Sequence, residues 1–197
     1  MSAEEQAQAA LSGSDGAPVN VMVLGDDTSN LRSEWVQLWG ADLAERRPVT
    51  VVQWDEAADV RYSTPDVISD TGEGEPLTIW NASRTGADIS SVTARLPLFL
   101  DPVALVSDPD VVVLNLGVND SADEAVADAQ ELVNSMAERL GDDTPVVLVR
   151  QGRGGASAEV DEALVSWAED TDVVVWDVNE ATSAQEWASL VVEQSSP

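Results

Sequence analysis

The sequence predicts a three-layer α/β/α sandwich built around a parallel sheet of about five strands. Short apolar segments alternate with longer amphipathic ones along the chain, and this alternation is typical of a doubly wound parallel sheet. The segment 110–116 (DVVVLNL) is almost continuously apolar, as expected for a strand that helices bury on both faces. A length of 197 residues suits one such domain, which we place at residues 19–197 after a flexible tail at residues 1–18.

Each element is predicted from the periodicity of its apolar residues and from the turn residues that flank it. Trp35, Leu38 and Trp39 recur at helical spacing, which indicates core positions rather than ligand contacts. Pro102 ends a helical segment, and Gly141 caps a long amphipathic helix. In chain order, strands are expected at 20–24, 49–54, 77–80, 111–116, 145–150 and 173–177, with a short one at 67–68. Helices are expected at 34–46, 90–100, 122–140, 157–170 and 183–192, with a single turn at 103–107.

The charge is strongly one-sided: 37 acidic residues oppose nine basic ones, all of them arginine, and the formal net charge is −28. Such a chain is unsuited to binding nucleic acid or an anionic membrane. A heavily solvated surface is the simplest interpretation of the acidic excess, and a specific cationic partner is the alternative. The absence of cysteine and histidine excludes disulfides, thiolate chemistry and the commonest general base. No cofactor is indicated.

The sequence has no apolar run near the roughly 20 residues that cross a bilayer, and its first residues lack the basic-then-apolar pattern of a signal peptide. We therefore expect a cytoplasmic location for the chain as it stands. A signal segment ahead of Met1 would instead imply a secreted or particle-associated protein.

Three loops follow predicted strands and are expected to meet at one edge of the sheet. They are 25–30 (GDDTSN), 81–88 (NASRTGAD) and 117–120 (GVND). In open parallel sheets, ligands bind beyond the carboxyl ends of the strands. The candidate site residues are Asp26, Asp27, Thr28, Arg84, Gly86, Asn119 and Asp120 in these loops, and Arg150 at the end of a later strand.

The strings VLGDD, WNASRTGAD…ARLP and LNLGVND resemble the first three conserved blocks of the SGNH (GDSL-type) hydrolases, a family of flavodoxin-like esterases and lipases. The longer pattern GDDTSN…EWV…L, followed by LTIWNAS, is similar to small actinobacterial and phage-associated SGNH domains. The resemblance covers roughly residues 19–120, and the remainder matches only as strand–helix alternation. It implies an SGNH hydrolase-like domain with a flavodoxin-like fold.

The resemblance assigns family roles to three positions. Asp27 stands where the family has its nucleophilic serine. Gly86 matches the glycine whose backbone N–H enters the oxyanion hole, and Asn119 matches the asparagine whose amide donates to the same oxyanion. The family's last block carries an Asp and a His three residues apart. Here that region contains Asp177 and Glu180, and the chain has no histidine.

These departures predict a protein without ester-hydrolase activity. A hydroxyl is a poor nucleophile until a positioned base removes its proton, and this chain lacks both groups at the family's positions. A carboxylate at residue 27 also places negative charge where the oxyanion would form. Gly86 and Asn119 equally suit structural roles, since glycine permits a tight turn and asparagine braces one.

Four arginines lie in or beside loops at this edge of the sheet: Arg32, Arg84, Arg150 and Arg153. We predict that the guanidinium group of Arg84 or Arg150 fills the former pocket. Its partner there would be the carboxylate of Asp26 or Asp27.

Other roles remain open. Asp26, Asp27 and Asp120 are oxygen ligands of the kind that suits Mg²⁺ or Ca²⁺, with Asp177 within reach. Alternatively, Asp27 itself acts as nucleophile or base in an altered hydrolase. A noncatalytic domain would bind a small polar, acyl or carbohydrate ligand, or would join a protein partner in a larger assembly. The oligomeric state is left open.

Overall fold

A computed structural model describes residues 1–13, 17–151 and 155–195. The described strands are β1 (Val19–Gly25), β2 (Val49–Gln53), β3 (Asp66–Ser69), β4 (Leu77–Asn81), β5 (Val111–Asn115), β6 (Val146–Arg150) and β7 (Val174–Asp177). The described helices are α1 (Ala3–Ser12), α2 (Trp35–Leu43), α3 (Ile89–Ala104), α4 (Ala122–Leu140), α5 (Ala158–Glu169) and α6 (Ala184–Ser195). Among them, no helix is long and apolar enough to cross a membrane.

The strands form one sheet in the order β3-β2-β4-β1-β5-β6-β7. Within it, β3 pairs antiparallel with β2, and the other neighbours pair in parallel. The predicted α/β/α class is confirmed, whereas the expected number of about five strands is too low. The two edge strands, β3 and β7, fall where the sequence placed strands, at 67–68 and 173–177, and have only four residues each.

Alternate residues of the central strands face opposite helix layers. In β1, Met22 and Leu24 pack in the core beneath α3, α4 and α5. Val21 and Val23 pack in the core shared with α1, α2 and α6. All four side chains are fully buried, which explains why the central strands are continuously apolar in sequence.

The tryptophans of α2 are core residues, as predicted. Trp35 and Trp39 are both fully buried. Trp35 stacks on Trp187 of α6 with ring centroids 6.0 Å apart, and Trp39 contacts Trp176 of β7 edge to face at 6.1 Å. These contacts fix α2 and α6 against the same face of the sheet.

The N-terminal segment differs from the expected flexible tail, because residues 3–12 form helix α1. Ser2 and Glu5 form a capping box at its start, and Ala7 and Leu11 are buried against the sheet. These two apolar residues make too narrow a stripe to predict a helix from sequence. The helix is stabilised by packing that only the tertiary structure provides.

Helix α3 also differs from the prediction, since it continues through Pro97 and Pro102 to Ala104. Proline lacks the N–H that an internal helical position donates, and it normally ends or kinks a helix. Here Phe99 and Val103 are fully buried, so packing offsets the missing hydrogen bonds. Elsewhere, α2 ends earlier than expected, at Leu43, and α6 extends further, to Ser195.

The topology brings the three candidate loops together. Strand β1 lies between β4 and β5, and the three strands are parallel. Val23 is in register with Asn81, and Gly25 is in register with Asn115. The loops after these strands therefore begin at the same level of the sheet.

Candidate functional site

The first loop begins with a close approach of backbone to side chains at Gly25. A Cβ atom at this position would lie 2.2 Å from Oγ of Ser29 and 2.3 Å from Oγ of Ser83. No side chain fits there, so glycine allows the loops after β1 and β4 to pack together. Ser29 and Ser83 are fully buried, with the Ser29 hydroxyl donating to Oγ of Ser83 at 2.9 Å.

The Asp27 carboxylate accepts hydrogen bonds from both donors that the family resemblance assigns to the oxyanion hole. Its Oδ2 atom accepts from the backbone N–H of Gly86 at 2.9 Å and from Nδ2 of Asn119 at 2.8 Å. The Asn119 amide also donates to the carbonyl oxygen of Ala87 at 3.0 Å. Gly86 has φ +69°, a left-handed conformation that favours glycine. The donors thus converge on a single anionic oxygen, supplied by the protein itself.

Asp26 is a buried positioning residue. Its Oδ1 atom accepts from the backbone N–H and the hydroxyl of Thr28, at 3.0 and 2.8 Å. Its Oδ2 atom accepts from the N–H of Val118 at 3.3 Å and from Nε2 of Gln151 at 3.0 Å. Burial raises the pKa of this carboxyl group, and the hydrogen bonds oppose the rise. Asp26 therefore ties the loop after β1 to the loops after β5 and β6.

Asp120 joins the third loop to helix α3. Its Oδ1 atom accepts from the backbone N–H of Ile89, the first residue of α3, at 3.0 Å. Its Oδ2 atom is buried and has no hydrogen-bond partner among the described residues. The pKa of Asp120 is raised to about 6, chiefly by burial and to a smaller extent by the negative charges of Asp88, Asp128 and Asp26. The hydrogen bond from Ile89 opposes the rise.

A buried polar network connects the loops beneath Asp27. Nδ2 of Asn115 donates to Oγ1 of Thr28 at 2.6 Å and to Oγ of Ser29 at 3.1 Å. Oγ of Ser83 donates to Oδ1 of Asn81 at 2.5 Å, and Nδ2 of Asn81 donates to the carbonyl oxygen of Ser29 at 2.7 Å. We did not predict roles for Asn81 and Asn115. Their signal in the sequence is a polar residue at the end of an otherwise apolar strand.

The predicted salt bridge between Arg84 or Arg150 and Asp26 or Asp27 is wrong. Nε of Arg84 lies 3.1 Å from Oδ1 of Asp59, an aspartate that also pairs with Arg95. Asp59 has φ +53° and belongs to the loop after β2. The carboxylates at residues 26 and 27 accept hydrogen bonds from amide and hydroxyl donors instead of a guanidinium group.

Arg150 and Arg32, also near this edge, pair with carboxylates other than Asp26 and Asp27. Nε of Arg150 lies 2.9 Å from Oδ2 of Asp161, and its Nη1 lies 3.2 Å from Oδ2 of Asp177. Arg32 pairs with Asp66. Arg153 lies outside the described residues.

Metal binding by the carboxylates of this edge was an alternative that the sequence left open. Across the described ranges, no group of three or more His, Cys, Asp or Glu residues is placed to hold a metal ion. Both oxygens of Asp26 accept two hydrogen bonds each from protein groups. Asp177 is engaged by Arg150 and by the backbone N–H of Asn179 at 3.0 Å.

No protein-family model and no curated protein matches the sequence. Solved structures match its fold. AlinE4, an SGNH-hydrolase family esterase, is 18% identical and gives a TM-score of 0.53, with 82% of this chain and 77% of AlinE4 covered. The lipase/acylhydrolase from Enterococcus faecalis is 15% identical and gives a TM-score of 0.55, with 89% of this chain and 94% of the other covered.

A two-domain esterase (CEX) active on acetylated mannans is 15% identical and gives a TM-score of 0.61. The match covers 97% of this chain and 50% of that esterase, so the described fold corresponds to about half of the larger protein. Identities this low establish a shared fold and leave activity to the chemistry of the site. Together with the three loop motifs, these matches show that this chain has the fold of the SGNH hydrolases.

Proposed function

We propose that this chain is an SGNH hydrolase homologue that has lost ester-hydrolase activity and serves as a binding or structural module. The observation that carries the proposal is the pair of hydrogen bonds from Gly86 and Asn119 to one carboxylate oxygen of Asp27. The Asp27 carboxylate thus accepts hydrogen bonds from the two donors that would stabilise the oxyanion in acyl transfer.

The geometry of this pair explains why hydrolysis would fail. Oxyanion donors act at roughly 2.7–3.1 Å from the oxygen that becomes negative in the transition state. Oδ2 of Asp27 lies at 2.9 Å from the N–H nitrogen of Gly86 and 2.8 Å from Nδ2 of Asn119. A substrate carbonyl would have to displace this oxygen, and its developing negative charge would then lie beside a carboxylate.

The groups that activate a nucleophile are also missing from the site. The sequence contains no histidine. Asp177, in the region of the family's last block, pairs with Arg150. The hydroxyls of Ser29 and Ser83 are buried and hydrogen-bonded to each other. Because nucleophile and base act as a unit, losing both removes almost all of their contribution.

An altered hydrolase is the second candidate. Oδ1 of Asp27 accepts no hydrogen bond from the described residues, so one oxygen of this partly exposed carboxylate remains available as a base or nucleophile. This candidate requires that Asp27 itself reacts, which separates it from the inactive module.

As a module, the domain would present its rigid sheet and acidic surface to a protein partner in a larger assembly, or bind a small polar, acyl or carbohydrate ligand. The net charge of −28 disfavours nucleic acid and anionic membranes as partners. A partner with a basic surface suits this charge.

Hydrolysis of p-nitrophenyl acetate and butyrate by the full chain tests the proposal. The variants are Asp27→Asn and, as a matched control, Asp123→Asn, which changes an exposed carboxylate on α4. We expect all three proteins to release nitrophenol at the rate of the buffer blank. Saturable turnover that Asp27→Asn abolishes and Asp123→Asn retains would overturn the proposal and support the altered hydrolase.

A further inference from the structure

A second candidate binding region lies at the opposite end of the sheet from Asp27. It is a cavity of about 220 Å³, below the roughly 300–1,000 Å³ of typical sites for drug-sized ligands. The cavity is lined by Leu11, Ser12, Trp39, Leu43, Arg46, Arg47, Leu77 and Ser195. Leu77 is the first residue of β4, which places the cavity at the amino ends of the strands. We call it the Arg46–Arg47 cavity.

The two arginines of this cavity differ from the others in their partners. The chain has nine arginines, and Arg153 lies outside the described residues. Arg46 and Arg47 form no ion pair with a carboxylate among the described residues. The others pair with aspartates: Arg32, Arg61, Arg84, Arg95, Arg139 and Arg150. Among the described residues, no carboxylate lies within ion-pair distance of either guanidinium group, so both groups can pair with another anion.

The cavity also has buried donors without acceptors. Nε of Arg47 donates to the carbonyl oxygen of Glu75 at 2.5 Å, and Nη1 donates to the carbonyl oxygen of Leu11 at 2.6 Å. Nη2 of Arg47 and Nε1 of Trp39 are buried and have no partner among the described residues. Burial lowers the pKa of Arg47, which means that the surroundings penalise its charge, and the negative charge of Glu75 offsets part of this penalty. An anion in the cavity would offset more of it.

Apart from Ser12 and Ser195, the rest of the lining is apolar and suits a hydrocarbon group. Leu11 and Leu77 are buried, and Trp39 is fully buried. Leu43 is partly buried, whereas Arg46 is exposed. The cavity thus has an apolar interior, with a cation accessible from solvent.

We propose that the Arg46–Arg47 cavity binds a small carboxylate with an apolar body, such as a short fatty acid. The carboxylate group would accept from the two guanidinium groups, which match its planar geometry. The hydrocarbon part would contact the leucine side chains of the lining. This inference is independent of the function proposed for Asp27.

An alternative explanation is that Arg46 and Arg47 only stabilise the C-terminal ends of nearby helices. Helices α1, α2 and α6 end at or near lining residues, and cations stabilise helix C-termini. The bond from Arg47 to the carbonyl oxygen of Leu11 is one such contact. This explanation predicts no saturable binding of a carboxylate, so titration separates the two.

Calorimetric titration of the full chain with sodium hexanoate tests the proposal. Two comparison probes are sodium acetate, which lacks the hydrocarbon chain, and 1-hexanol, which lacks the negative charge. The variant is Arg46→Gln, because this exposed side chain forms no ion pair with a described residue. The control is Arg61→Gln, which removes the same charge from a guanidinium that is 73% exposed and 3.6 Å from Asp55. Indole N–H resonances, with Trp39 identified through Trp39→Phe, report whether binding occurs at the cavity.

We expect saturable hexanoate binding, weaker binding of both other probes, and a shift of the Trp39 resonance. Arg46→Gln is expected to weaken binding by about tenfold, as for loss of one charge-assisted hydrogen bond, while Arg61→Gln leaves it unchanged. No saturable heat up to about 10 mM hexanoate, or equal affinity in Arg46→Gln, would overturn the proposal. Binding that leaves the Trp39 resonance unmoved would also overturn it, because the ligand would then lie elsewhere.

Discussion

Oδ2 of Asp27 lies 2.8 Å from the side-chain amide nitrogen of Asn119. Together with the N–H of Gly86 at 2.9 Å, this amide binds a carboxylate that belongs to the protein. A free carboxylate bound in the same way would resemble the product of ester hydrolysis. In the function that we propose, this internal carboxylate takes the place of a substrate oxygen.

Removing the internal carboxylate should expose an anion site. We expect Asp27→Ala to lower the free energy of unfolding by about 1 kcal/mol, because two charge-assisted hydrogen bonds are lost at a partly exposed position. Acetate should then raise the melting temperature of this variant by more than it raises that of the unmodified protein. Thermal unfolding with and without acetate measures both effects.

The control for this experiment is Asp27→Ala combined with Asn119→Ala, which removes one of the two donors. Acetate should stabilise the double variant less than the single one. Equal stabilisation of the two variants would mean that acetate binds elsewhere.

Restoring a serine at residue 27 should not restore hydrolysis. We expect Asp27→Ser to cleave p-nitrophenyl acetate at the rate of the buffer blank, because no histidine is present to accept the serine proton. Initial rates, compared with those of Asp27→Ala, provide the measurement. A rate for the serine variant well above that of the alanine variant would show that another group acts as the base.

Asp120 should make stability depend on pH. Its pKa is raised from 3.8 to about 6 in the folded protein, so the folded state binds its proton more tightly than the unfolded state. The contribution of this group to the free energy of unfolding therefore falls as the pH rises from about 4 to about 6, and the loss is complete above that range.

The variant Asp120→Asn tests this dependence, since its side-chain oxygen can still accept from Ile89. We expect the variant to be more stable than the unmodified protein at pH 7.5 and to have a smaller advantage at pH 4.5. Urea unfolding at both pH values measures the difference, and the comparison cancels the titration of other carboxylates. If Asp120→Asn had the same stability advantage at both pH values, the pKa of Asp120 would not be raised in the folded protein.

Gly25→Ala should disrupt the loops around Asp27. The added Cβ would lie 2.2 and 2.3 Å from the hydroxyl oxygens of Ser29 and Ser83, and overpacking of a buried site costs about 1–3 kcal/mol. A suitable control is Gly141→Ala, where a Cβ meets nothing within 4 Å and only the φ of +91° opposes substitution.

Denaturant unfolding of the two glycine variants should therefore give a larger loss for Gly25→Ala. The resonances of the Gly86 and Asn119 amides should also move in this variant. A loss no greater than that of Gly141→Ala would mean that the serine side chains move aside readily.

The sequence determined the features that depend on local pattern. The continuous apolar runs located the central strands β1, β4 and β5, and the amphipathic pattern located α4 at the predicted bounds. Loop motifs after these strands identified Asp27, Gly86 and Asn119 as the positions that match catalytic residues of the SGNH hydrolases. These predictions succeeded because periodicity and turn residues act over a few positions.

Only the tertiary structure decided which groups meet. Asp27 is separated by 59 residues from Gly86 and by 92 residues from Asn119, and our prediction gave this carboxylate an arginine instead. Long-range packing also stabilised α1 and allowed α3 to continue past Pro97 and Pro102. It also placed Arg46 and Arg47 beside a cavity. Such contacts depend on how distant segments share a sheet, so local sequence pattern does not specify them.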